Sequence, residues 1–229
     1  MWQRERSNEQ EILDLGPLYY TQEEYALCLK HLSRINQLLG GYRAVRKALK
    51  GSNPRSILEV GMGGGGLSRR LSRWFPNASV LGVDINPEAV AYARAMMPQG
   101  QSNLSFELQK TKSLPYREGA FDVVTTMLVT HHMDDEELID FLKESYRIAS
   151  SLVVINDLQR HLLAYVAFSV VAPLLFPSRL IWHDGRLSIR RSFKRGDWIR
   201  LLKKAGFQEG QYKLSWNFPF RWTLTLVKQ

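Results

Sequence analysis

Glu59, Gly61, Gly63 and Gly65 alternate within a short stretch, and five of the six positions from Gly61 to Gly66 are glycine. An apolar run, Ile57-Leu58-Glu59-Val60, leads into them, and a helical pattern begins at Leu67. A second apolar run, Val80-Leu81-Gly82-Val83, ends in Asp84, roughly twenty residues after the first glycine, the spacing of a β-α-β unit that binds an adenosine-containing ligand. Glycine permits close backbone approach, and the acid can take both ribose hydroxyls. The second reactive set is histidine, whose ordinary pKa suits proton transfer near neutrality. His132 and His131 follow the apolar run 121–129 and rank first as bases, with His183, beside Asp184, next and His161 third. His131-His132-x-Asp134-Asp135 can be drawn as a metal cluster, but adjacent side chains at a strand end diverge and the acids are wanted at a helix start. No metal is expected.

Glycine-rich turns also serve NAD and FAD, so the acid at Glu59 matters. A carboxylate two residues before Gly61 would repel a diphosphate, yet it could orient the amino group of a methionine moiety. With Glu59-x-Gly61-x-Gly63 and Val83-Asp84-Ile85 the chain resembles the class I S-adenosylmethionine (SAM)-dependent methyltransferases. A loop Ser113-Leu114-Pro115-Tyr116 ahead of Phe121-Asp122-Val123-Val124 is similar to the same family. The resemblance implies a Rossmann-like, seven-stranded doubly wound α/β sheet closed by a C-terminal antiparallel hairpin. It implies SAM as cofactor, giving S-adenosylhomocysteine, on Glu59, Gly61, Gly63, Gly65, Asp84, Ile85, Ser113, Leu114 and Met127. Many relatives carry an aspartate near Ser113 for the adenine amine. Thr111-Lys112-Ser113 lacks it, which leaves that contact to backbone.

The elements that must position these residues follow from periodicity. Residues 11–50 read as helices broken at Gly40-Gly41, with Tyr19, Tyr20 and Tyr25 as lid aromatics or core. Asn86-Pro87-Glu88 starts a helix, 104–108 alternates as a strand, and 121–126 reads as a buried central strand. Asp134 to Glu137 place acid in a helix's first turn, and 151–157 is the next strand. Because ligands bind beyond the carboxyl ends of strands, Gly61, Asp84, His131, Asn156 and Asp157 are expected on one rim. Residues 162–177 are nearly all apolar, too short to span a bilayer, and read as a helical pocket cover or a membrane-surface contact. Trp182-His183-Asp184-Gly185 reads as a polar turn. A helix from Phe193 with Gly206 at its end and two strands, 211–216 and 222–227, complete the chain.

The 229 residues and 45% hydrophobic content fit one domain. Its expected parts are a helical cap (1–52), a SAM-binding core (53–157), a substrate-cover insertion (158–192) and a C-terminal helix with hairpin (193–229). The single cysteine excludes a disulfide framework and suits a reducing cytoplasm, with peripheral membrane attachment as an alternative. The polar start, Met1 to Arg6, leads into no signal-peptide apolar region.

A net charge of +9, with many of the basic residues after residue 178, admits nucleic acid, lipid or simple solubility. Met127-Leu128-Val129-Thr130 stands where nucleic-acid amine methylases often carry an Asn/Asp-Pro-Pro-aromatic motif, and Cys28 lacks the Pro-Cys setting of a cytosine C5 enzyme. The insertion 158–192 is similar to that of bacterial small-molecule methyltransferases of polyketide, phenolic and quinone-like products. It implies a lipophilic aromatic acceptor, methylated at oxygen, whose phenolate or carboxylate Arg179, Arg190 or Arg191 could stabilise. An RNA methyltransferase and a non-catalytic SAM-binding subunit remain open, as do monomer and homodimer.

Overall fold

In the computed structural model, residues 5–111 and 113–228 are described. The expected polar start at residues 1–4 and Lys112 of the expected loop lie outside them. Helix α1, Gln22–Leu38, opens on a capping box in which Thr21 and Glu24 satisfy each other's backbone N–H groups. Helix α2, Gly41–Ala48, follows the Gly40 break, where the backbone is left-handed. Then come β1 (Ser56–Val60), α3 (Ser68–Trp74), β2 (Ser79–Asp84), α4 (Pro87–Ala95), β3 (Leu104–Leu108), β4 (Phe121–Met127), α5 (Asp135–Ile148) and β5 (Ala149–Leu158). The chain ends with α6 (Leu162–Leu175), α7 (Arg179–Arg191), α8 (Arg195–Lys204), β6 (Tyr212–Asn217) and β7 (Arg221–Val227).

The sheet has the order β3-β2-β1-β4-β5-β7-β6. The first five strands are parallel, and β7 pairs antiparallel with both β5 and β6, so the expected hairpin is present. The central strands are apolar on both faces because helices cover both. One core lies under α5 and α8, around Leu138, Leu142, Trp198 and Leu202, and another lies under α2, α3 and α4, around Val45, Leu71 and Val90.

A third apolar cluster joins the N-terminal helix to the insertion, with Cys28, Leu29, Phe176 and Leu180 among its members. Residues 162–175 are helical as expected, with Pro173 in the last turn. Their outer face leaves Leu163, Val170 and Leu174 exposed, and no described helix is long and apolar enough to cross a membrane.

The expected polar turn at Trp182 to Gly185 is instead the middle of α7. Gly185 is there for packing. A Cβ at that position would stand 2.4 Å from the Phe168 ring, so the glycine lets α6 close on α7.

Candidate active site

Above the carboxyl ends of β1 and β4 lies a largely apolar, partly open cavity of about 450 Å³. The glycine turn forms one side. Gly61, Gly63 and Gly65 all have positive φ, at 69°, 51° and 67°. A Cβ at Gly61 would meet Val129 at 2.5 Å, and one at Gly65 would meet Phe106 at 2.7 Å. Glu59, Gly61, Gly63 and Met127 line the cavity. Gly65 instead lets β3 and α4 close on the turn.

Asp84, at the end of β2, reaches back to the turn. Its carboxylate accepts from Gly63 N–H at 2.8 Å and from Asn86 N–H at 2.9 Å, one on each oxygen. Burial raises its pKa against these bonds. Beside it Ile85 is exposed. Leu114 is packed in the core, and Ser113 is exposed with its carbonyl accepting from the Gln109 side chain. Asp84, Ile85, Ser113 and Leu114 lie outside the cavity's lining.

Glu59 is 2% exposed, accepts a hydrogen bond from the Ser68 hydroxyl, and forms no ion pair among the described residues. Burial pushes its pKa up to about 8, against those bonds and the charge of Arg69. In the unfolded chain it would release its proton near 4.5. The folded state therefore binds that proton more tightly, and stability falls through this group as pH rises from about 4.5 to about 8. For Glu59→Gln the expected result, without ligand, is a melting temperature that gains on the unaltered protein across that window. A constant difference across the window would contradict the assignment.

The histidines occupy the opposite side, on a 3₁₀ turn Thr130–His132 after β4. Leu128, two residues before it, is held at φ 60°, a strained conformation for leucine, and lines the cavity. His131 is buried, and its Nδ1 lies 2.7 Å from Asp157 Oδ1 at the end of β5. The other Asp157 oxygen accepts from the Thr130 hydroxyl at 2.5 Å and from His131 N–H at 3.0 Å. Burial alone would raise Asp157, but the charge and hydrogen bond of His131, with Thr130 and Leu158, hold it at about 2. An ionised Asp157 accepts, so Nδ1 carries the hydrogen and Nε2 of this cavity-lining residue keeps its lone pair.

Glu11 closes this side from a distant part of the chain. It is 3% exposed, 3.6 Å from His131 Nε2, and accepts from the Ser188 hydroxyl at 2.9 Å. Burial pushes its pKa up to about 7 against the charge of His132. His132 holds Asp14 at 2.9 Å through Nδ1 and faces Glu11 at 3.9 Å through Nε2. Glu11, His131 and His132 thus bring three potential metal-ligand atoms within 4.8 Å of one another. Asp134 and Asp135 are engaged at the start of α5 as expected, Asp134 as its cap and Asp135 paired with Arg200.

The segment carrying Glu11 is fastened to α7. Ile12 N–H and Leu13 N–H donate to the two oxygens of Asp184, and Ser7 N–H donates to the Arg190 carbonyl. Arg191 pairs with Asp14 and donates to the carbonyls of His131 and His132. Arg179 pairs with Glu24 and Arg190 with Glu9. None of these three arginines lines the cavity, which corrects their expected contact with an acceptor anion.

His183 does pair with Asp184, at 2.8 Å, yet its side chain is half exposed and outside the cavity. His161 caps α6, accepting from Leu163 N–H, and stacks on Phe220. Asp157 reaches the site through His131, whereas Asn156 is buried against β7. Tyr20 and Tyr25 stack on each other in the core, and Tyr19 is exposed, so the tyrosines are not cavity lids.

The seven-stranded sheet carries a glycine turn after β1 and an acid at the end of β2, the arrangement expected of a class I methyltransferase. Residues 57–151 match the family model described as a methyltransferase domain. Over those residues the chain is similar to the methyltransferases of that family. It is 32% identical over 114 residues to ajmaline N-methyltransferase of Rauvolfia serpentina, covering 48% of this chain and 38% of that one. It is 36% identical over 107 residues to ubiquinone biosynthesis O-methyltransferase of Cronobacter sakazakii, covering 46% and 42%. The chain thus spans about two fifths of the length of these curated relatives. A solved SAM-dependent methyltransferase from Aquifex aeolicus has the same fold, with TM-score 0.66, 16% identity, and 91% of this chain and 98% of that one covered.

Proposed function

We propose that the protein transfers the methyl group of SAM to a hydroxyl of a lipophilic aromatic molecule, with His131 as general base. The observation that carries this reading is a buried imidazole, oriented by Asp157, on the wall of an apolar cavity whose other wall is the glycine turn. The residues fit SAM. Asp84 keeps lone pairs for ribose hydroxyls, the exposed Ile85 offers an apolar ledge for adenine, and Glu59, with no ion-pair partner among the described residues, suits an ammonium group whose charge would draw off its proton.

Bound SAM supplies an electrophilic methyl carbon on sulfonium. With the cofactor bound, His131 Nε2 would take the acceptor's hydroxyl proton as that oxygen receives the methyl group, S-adenosylhomocysteine being the other product. Asp157 holds the imidazole in its reactive tautomer and balances the imidazolium. Helix α6, through Ala164, Phe168, Val171 and Ala172, excludes water and favours an apolar ring. The late basic residues Arg179, Arg190, Arg191 and Arg200 are paired with acids, which weakens the case for an RNA-binding surface.

A long-chain phenol and its aniline counterpart, each incubated with SAM, test the acceptor atom. The methyl ether of the phenol is the expected product. An N-methylaniline with no ether formed overturns the oxygen assignment.

A further inference from the structure

Arg221 is the one lysine or arginine among the described residues lining the cavity. It is 1% exposed at the first position of β7 and forms no ion pair with any described acid. Its guanidinium is held by two neutral amides, with Nη1 donating to Asn156 Oδ1 at 3.0 Å and Nη2 to Asn36 Oδ1 at 2.7 Å. Asp157 is the acid whose charge most favours it, but that carboxylate already accepts from the Thr130 hydroxyl, both His131 donors and Leu158 N–H. Burial lowers the Arg221 pKa to about 10, so it is cationic at neutral pH.

A buried cation held only by amides is oriented but not neutralised, and such an arrangement is costly without a counter-charge. Its seat is nevertheless built for it. At Gly41 a Cβ would lie 2.7 Å from Asn36 Oδ1 and 3.0 Å from Arg221 Nη1, so the start of α2 needs glycine to admit the pair. Asn36 itself lines the cavity.

We infer that Arg221, positioned by Asn36 and Asn156, anchors the carboxylate of a ligand bound in this cavity. A planar guanidinium with free N–H groups matches a carboxylate in shape as well as charge. Two ligands could bring one, the methionine moiety of the methyl donor or an acidic aromatic acceptor, and the inference rests on the methyltransferase reading only for which ligands enter.

Calorimetric titration with two matched pairs tests it. The first pair is S-adenosylhomocysteine and its analogue lacking the carboxylate. The second is a long-chain 2-hydroxybenzoate and its carboxamide. The unaltered protein is expected to favour the carboxylate member of one pair by about tenfold or more. That preference is expected to vanish in Arg221→Met and survive in part in Arg221→Lys. The pair that shows it identifies the source. Equal affinities within both pairs overturn the inference, and this comparison needs no variant to fold. A preference that persists in folded Arg221→Met overturns it too. Because binding is read without turnover, a carboxylate preference with no methyl transfer would count against the proposed function alone.

Discussion

His131→Ala is expected to lower the rate of methyl transfer by about 10²–10⁴-fold, the usual contribution of a positioned general base, while leaving S-adenosylhomocysteine affinity unchanged. The imidazole is the one cavity-facing base with a buried acid against its far nitrogen, and no other described group on that wall repeats the arrangement. His132, the neighbour ranked beside it by sequence, spends Nδ1 on Asp14 and is the more exposed of the two. His132→Ala should therefore cost much less.

Asp157→Asn supplies the test of orientation. It keeps the shape but can present an amide N–H to Nδ1, which would turn the Nε2 hydrogen toward the acceptor. Turnover should fall by a similar order, and donor binding should persist. Asp157→Asn turnover equal to that of the unaltered protein would contradict the pairing.

Asp84→Ala is expected to weaken S-adenosylhomocysteine binding by roughly 10–150-fold, the equivalent of about 1.5–3 kcal/mol for hydrogen bonds to a charged acceptor. The carboxylate also holds the turn through Gly63 N–H and the start of α4 through Asn86 N–H. Asp84→Asn, which keeps an acceptor oxygen, should fall between the two. Calorimetry on the two variants separates loss of the ribose contact from loss of the turn. Unchanged affinity in Asp84→Ala would remove the site from this end of the sheet.

The glycine turn and Asp84 were legible because their chemistry is local. A strand, a tight turn, a helix and a second strand follow one another, and spacing alone brings the acid back to the glycines. The parallel core was legible for the same reason, whereas the closing hairpin was expected from the family resemblance. His131 was legible as a type, but its partners were not, since Asp157 reaches it from the next strand and Glu11 from more than a hundred residues away.

Glu11 could have been noticed only as an acid in a mostly polar leader. What buries it is Asp184 holding the backbone of Ile12 and Leu13. The reading of Trp182 to Gly185 as a turn failed because glycine serves two purposes. Here it permits a close helix crossing, with Phe168 against its bare Cα. Arg179, Arg190 and Arg191 looked available to substrate because the acids that neutralise them lie in the N-terminal segment. Arg221, one residue ahead of the expected strand 222–227 and given no role by the sequence reading, is the one lysine or arginine among the described residues that lines the cavity.

The most direct test of the central claim is to follow the label from methyl-labelled SAM with the unaltered protein. One incubation contains a cell-derived RNA pool and the other an organic-solvent extract rich in phenols and lipids. The account predicts label in the organic extract, on a molecule whose mass rises by one methylene and whose new bond is a methyl ether. Label in RNA, or label in neither while SAM binds normally, would contradict it.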